Sequence, residues 1–368
     1  MSMSGAMSAA ISGLKTHMQA LNVVGNNIAN VNTNGYKAQR FTFKESIYNT
    51  LSAGSEGTNT TGSTNPQQIG YGCQVGTIDL DMTTGDLVST GRDMDCTISG
   101  DGFFLVGPKD IDVKDANAVK SLKLTRVGDF EFRDGYLTDG QGNVVYGFVT
   151  SSTKEAGAED GVAQCTPGTT AGSISTDLVP IRLPLKWSDT TNGTVGQAVY
   201  VGVDGTGKNI DPDDTGAATA NQVSGYINYT NMSIDANGKI TCTNSDTKEV
   251  VVVGYIAMGT VENPNGVLHT EGPYYTAGDA AGSIAVSTPG SAVTGYLRNQ
   301  QAGNNPSADT KLLNGSTVKL MTSFLEGSGT DLATEFTNMI LYQRGYQANT
   351  RIVTVTDSML EELVNMKR

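Results

Sequence analysis

The sequence predicts an α+β chain: long N- and C-terminal helices that pair as a coiled-coil inner domain, with two mainly β domains between them, the second inserted in the first. Three observations carry this. Met7, Ile11, Leu14, Met18, Leu21 and Ile28 recur at steps of three and four, with Gly25 the one interruption, which is the apolar stripe of a helix. Leu332, Phe336, Met339, Tyr346, Val353 and Leu360 form a second stripe at heptad positions. Between them lie short apolar runs broken by Gly, Thr and Asn; the chain holds 45 glycines in 368 residues and only 17% charged side chains, against about 25% in average domains. A heptad seam has to be covered by another helix. The ends are therefore expected to pack on each other and on neighbouring copies, as in an assembly subunit.

The elements follow in order. The first helix is expected from Ser4 to Val31, ending at Asn32-Thr33-Asn34-Gly35, residues that tolerate the left-handed backbone of a helix stop. Residues 37–48 fit a short strand or a helical turn equally well. The Gly/Ser/Thr-rich stretch from Asn49 has linker composition, so 36–70 and 301–329 are read as linkers around a helical domain of 1–35 and 330–368. Strand patterns then recur at Val75–Leu80, Cys96–Ser99, Phe103–Val106, Leu122–Thr125, Asp129–Phe132 and Val144–Val149, punctuated by Gly-containing turns. These belong to a first β domain, 71–149 with 251–300. Residues 150–250 carry six basic and twelve acidic side chains and read as an inserted outer β domain, after which Val250–Met258 returns to the first. The last helix is expected to open at Thr330 as N-cap, with Asp331 and Glu335 in its first turn and Lys367 and Arg368 at its end, complementing the helix dipole. At 1.5 Å per residue it makes a rod of about 54 Å.

Composition also excludes classes of function. A net charge of −13 without Lys/Arg clusters argues against nucleic acid, and no run approaches the ~20 apolar residues of a membrane span. Met1–Leu14 contains no Lys or Arg and makes a poor secretory signal. Cys73, Cys96, Cys165 and Cys242 form no CxxC and read as free thiols, with two disulfides as the alternative in an extracellular protein; with His17 and His269 the only histidines, no metal site is expected. Gly100-Asp101-Gly102 reads as a tight hairpin turn rather than a phosphate loop. Asp204, Asp211, Asp213 and Asp214 miss the EF-hand spacing and read as a solvated loop. The pairs Asp79/Asp81 and Asp93/Asp95 are expected to face water, His17 to pack near the seam, and Trp187 to sit in the insert's core. No catalytic or cofactor-binding residue is predicted. A secreted β-sandwich enzyme or carbohydrate-binding module would need convergent carboxylates or an aromatic platform, and would leave the helical ends without a role.

Three runs carry a family resemblance. Gly25-Asn-Asn-Ile-Ala-Asn-Val-Asn-Thr-Asn-Gly-Tyr-Lys37 resembles the N-terminal signature of the bacterial flagellar rod, hook and hook-associated proteins; Ile98–Val106 and Gln343–Asn349 resemble later signatures of the same family, in the expected order. Thr64–Gly72, Ser89–Asp95 and the ending Leu363–Arg368 are similar to the hook branch, whose members carry a larger insert than rod members. Gly329-Thr330-Asp331 departs from the Asn-Val-Asp common there. The resemblance implies a non-enzymatic subunit of the curved, flexible tube that serves as a universal joint between rod and filament. It implies a homopolymer whose partners are the distal rod protein, the hook cap, the hook–filament junction protein and the flagellar type III export apparatus, with no cofactor. The rod and hook-associated positions are the nearest alternatives. Asn26, Asn27, Asn30, Asn32 and Gly35 should supply amides and freedom where the chain turns, with Tyr36 packing its ring against them. Each large apolar side chain left exposed on such a helix costs about 2–3 kcal/mol, which couples ordering of the ends to assembly.

Overall fold

The computed structural model describes residues 3–54, 56–57, 62–109, 116–149, 163–164, 178–183, 185–189, 199–203, 221–225, 228–245, 248, 250–291 and 318–366. The architecture is α+β, in two compact units: Met1–Thr83 with Ser328–Arg368, and Thr84–Gly327.

The first unit pairs the N-terminal helix (Met3–Ala29) with the C-terminal helix (Leu332–Met366). The N-terminal helix is rich in alanine and carries Lys15 as its one Lys, Arg, Asp or Glu. It stops two residues before the expected Val31: bonds from Val31 N–H to Ile28 O and from Thr33 N–H to Asn30 O tighten the last turn, and Gly35 then adopts φ 69°. At the other helix the cap is Asp331, not Thr330. The Asp331 carboxylate accepts from Ala333 N–H at 3.0 Å and its carbonyl from Glu335 N–H, while Thr330 turns back to Ser328. A carboxylate at that position also meets the positive end of the helix, and its bonds from Thr334 and Ala333 hold its pKa below the usual range.

Residues 37–48 resolve as strand. Gln39–Glu45 runs antiparallel to Cys73–Leu80, with a register shift between Phe41 and Phe43 that makes a bulge. A second ribbon pairs Tyr48–Ser52 with Gln67–Gly70, so strands lie inside the stretch whose composition reads as linker. Lys37 is buried and donates to the carbonyls of Thr83 (2.8 Å) and Met82.

The second unit is built on a large antiparallel sheet. Its central order runs Tyr229–Ile234, Lys239–Asn244, Val250–Ile256, Val144–Val149, Phe103–Gly107, Lys123–Thr125, Tyr274–Ala277, Val267–His269. Every residue of Phe103–Gly107 is buried, as its unbroken apolar run requires. Of the segment 150–250, Ala163–Gln164, Leu185–Asp189, Val199–Val203 and Asn221–Gly225 form a separate four-stranded sheet. Residues 229–244 instead add two strands to the large sheet, because alternation in Lys239–Asn244 buries Ile240 and Cys242. Gly100 and Gly102 take φ 125° and 140°, so the turn is tight, yet it closes no hairpin: Cys96–Ser99 pairs with Lys319–Thr322, and Phe103–Gly107 with Val144–Val149 and Lys123–Thr125.

The chain enters and leaves this unit side by side. Leu87–Ser89 pairs with Phe324–Glu326, Gly327 N–H donates to Asp86 O, and Gly85 N–H donates to Glu326 Oε1. Glu326 lies 3.7 Å from Arg126, both side chains at most 1% exposed, and Arg126 also donates to Ile98 O and stacks over Phe103.

Candidate assembly surface of the terminal helices

The seam inside the first unit is made of small residues. Ala10, Gly13, Thr16, Ala20, Val24 and Asn27 are buried on the N-terminal helix at steps of three and four. A Cβ on Gly13 would lie 2.7 Å from Asn349 Nδ2, and one on Gly345 would lie 2.6 Å from His17 Cε1. Each helix thus offers a glycine notch and, four residues away, the polar side chain that fills the other's notch. Gly13 faces Asn349, His17 faces Gly345 and Asn27 faces Glu335, so one step forward along the first helix is one step back along the second. The pair is antiparallel with a fixed register. His17 completes an aromatic group with Phe43 (5.2 Å between ring centroids) and Tyr342 (6.3 Å), and burial pulls its pKa down.

Asn27 is the knot of the signature run. Its Nδ2 donates to Gln39 O (2.8 Å) and to Glu335 Oε1 (3.0 Å); its Oδ1 accepts from Gln39 N–H and from Tyr36 OH. One fully buried amide therefore joins the helix end, the turn, the first strand and the C-terminal helix. Asn26 donates to Tyr36 OH and Asn30 donates to Asn26 O; Tyr36 is buried, and Asn32 stands exposed at the tip. Burial raises the pKa of Glu335 against the lowering effect of the Asn27 bond.

The apolar stripe read on the N-terminal helix lies outside this seam. Ile11 and Met18 are exposed, and Met7, Leu14, Leu21 and Ile28 half-buried; at 3.6 residues per turn they sit about 100° round the helix from the small face. On the C-terminal helix Leu332, Phe336, Tyr346 and Leu360 are exposed, and Met339 and Val353 half-buried. Ile340, Leu341, Ile352, Val355, Met359, Leu363 and Val364 add to the exposed apolar surface. Single exposed apolar side chains are ordinary, but a continuous set of this size is a candidate interaction surface. Sequence reasoning missed the small face. Its signal was present in the steps Gly13–His17–Ala20 and Gly345–Asn349, which carry no hydrophobicity to count.

The other singled-out groups are structural. Asp79 bonds Arg40, Asp81 accepts from Thr83, and Asp93 is exposed. Asp95 does not face water: it is 2% exposed, with Arg92 at 3.7 Å. Cys73 is a half-buried thiol and Cys96 and Cys242 are buried thiols, with burial pushing Cys96 far above its usual pKa. Among the described residues no group of three or more His, Cys, Asp or Glu is placed to hold a metal, and no helix is long and apolar enough to cross a membrane. Cys165, the Asp204–Asp214 loop and the side chain of Trp187 lie outside the described residues.

Residues 7–37 match the family model described as flagella basal body rod protein, and residues 321–366 match the model described as flagellar basal body rod FlgEFG protein C-terminal. The chain is 33% identical over 360 residues to the flagellar basal-body rod protein FlgG of Bacillus subtilis (strain 168), covering 97% of each chain. It is 27% identical over 438 residues to the flagellar hook protein FlgE of Borreliella burgdorferi, covering 97% of this chain and 98% of the relative. The flagellar hook protein FlgE of Salmonella typhimurium is 27% identical over 434 residues, with 98% and 99% covered.

Proposed function

Because this chain belongs to the flagellar basal-body rod and hook protein family, we propose that it is the hook subunit, polymerising into the curved, flexible tube between rod and filament. It is a structural axial subunit of the flagellum and not an enzyme. The observation that carries the polymer is the division of labour on the terminal helices. Small residues close the intrachain pair, and the large apolar stripes from Met7 to Ile28 and from Leu332 to Leu360 remain at the surface, where further copies can bury them. In this reading the paired terminal helices line the tube, the unit Thr84–Gly327 forms a shell around it, and that unit's separate four-stranded sheet faces outwards. The subunit travels through the flagellar type III export apparatus, meets the distal rod protein at one end of the tube and the hook–filament junction protein at the other, and assembles under the hook cap.

A distal-rod position is the second reading, favoured by the match to a rod protein along nearly the whole chain. Immunogold labelling of isolated basal bodies separates the two. Gold along the curved segment outside the cell supports the hook; gold confined to the straight rod supports the rod, and label along neither contradicts both.

A further inference from the structure

The methionines differ in exposure by their place in the fold. Met258 is fully buried in the core of the large sheet, and Met7, Met82, Met94, Met232 and Met339 are half-buried. The most exposed methionines among the described residues all stand on the terminal helices: Met18 at 50%, Met359 at 52% and Met366 at 77%. Each belongs to an apolar row. Ile352, Val355, Met359, Leu363 and Met366 follow one another at steps of three and four, which places them on one face of the C-terminal helix, and all five are exposed. Met18 continues the Ile11 and Leu14 stripe of the N-terminal helix. From Ile352 to Met366 the helix holds no Cys, His, Tyr or Trp, so the two thioethers are the readily oxidised groups of that stretch.

We propose that Met18, Met359 and Met366 are oxidation sites that withdraw the unassembled chain from assembly. The oxidant is a hydroperoxide. The thioether sulfur gives an electron pair to one peroxide oxygen, so that an S–O bond forms and the O–O bond breaks. Methionine is oxidised to the sulfoxide, and the other oxygen takes the proton of the first and leaves as water or an alcohol. The product sets a polar oxygen into a row of aliphatic side chains. Enzymatic reduction of the sulfoxide returns the thioether, so the change is reversible. This rests on the homopolymer reading: neighbouring copies that bury these rows leave no partner for the new oxygen, and chains already assembled shield their own sulfur atoms.

Hydrogen peroxide treatment of the full chain tests the assignment. Peptide mapping by mass spectrometry reads the order of oxidation, and pelleted polymer reads assembly once the peroxide is removed. Met18, Met359 and Met366 are expected to oxidise first and Met258 last, and the treated chain to yield about tenfold less polymer than the untreated one. Methionine sulfoxide reductase is expected to restore the yield. The treated triple variant Met18→Leu/Met359→Leu/Met366→Leu should stay within about twofold of its untreated form, since Leu keeps the volume and apolar character of Met. A treated wild type that polymerises as well as the untreated chain overturns the proposal, and so does a treated triple variant as poor as the treated wild type. Both results leave the homopolymer standing. An untreated chain that forms no homopolymer overturns that earlier reading, and this one with it.

Discussion

Single side chains set the register of the terminal helices. Asn27 satisfies four hydrogen bonds from a site with no solvent access, and each buried partner left unpaired costs about 1–3 kcal/mol. Asn27→Ala is therefore expected to destabilise the first unit by about 3 kcal/mol, read as a lowered urea midpoint of the helical signal; a midpoint unchanged from wild type would remove Asn27 from this role. His17 gives a pH test. Burial among Phe43, Tyr342 and Gly345 lowers its folded pKa below 6.5, so protons bind the unfolded chain more readily than the folded one. Its contribution is whole above pH 6.5 and is lost as pH falls through that value toward the folded pKa. Glu335, whose folded pKa is raised, acts with the opposite sign in the range above 4.5. Melting temperature should thus drop as pH is lowered below about 6.5, and His17→Phe should flatten that step. The polar half of this site was legible in the sequence, since Asn, Gly and Tyr at a helix stop carry their own chemistry. Gly13 and Gly345 were not. A glycine notch is defined by what approaches it, and the approaching residue lies more than three hundred positions away.

At the scale of elements, periodicity located both helices, and their ends moved by one or two residues once bonding geometry chose Ala29 and Asp331. It did not tell which face meets which helix. Counting large apolar residues finds the stripe with the most to bury, whereas helices that approach closely do so over small ones. The account therefore separates two kinds of substitution. Leu14→Asp or Leu21→Asp should block polymerisation while leaving the β structure folded, checked by sedimentation of polymer beside circular dichroism of the monomer. Normal tubes from either variant would contradict an interface on that stripe. Turn chemistry had a similar limit. The Gly100-Asp101-Gly102 run showed where the chain turns, and the strands on either side found partners elsewhere, in Lys319–Thr322 and Val144–Val149. Ribbons such as Tyr48–Ser52 with Gln67–Gly70 left no alternating pattern to read, because the first strand buries nothing.

For the whole molecule, α+β with helical ends was legible from the two stripes and the glycine-rich middle. The limits of the insert were not, since its composition changes near residue 150 while the strands of 229–244 return early to the large sheet. The second unit is held at its neck by the Arg126–Glu326 pair, and removing one partner of such a buried pair costs about 3–5 kcal/mol. Glu326→Ala is expected to show that loss in thermal unfolding of the β signal, and a stability equal to wild type would exclude the pair as the closure. Removing residues 185–225, which hold three strands of the separate four-stranded sheet, should leave assembly possible and alter the curvature or stiffness of the tube; complete failure to assemble would show that this sheet holds the tube together. The most direct measurement is electron microscopy of basal bodies from cells lacking this chain. The account predicts complete rods that end without a hook, and truncated rods or fully normal flagella would contradict it.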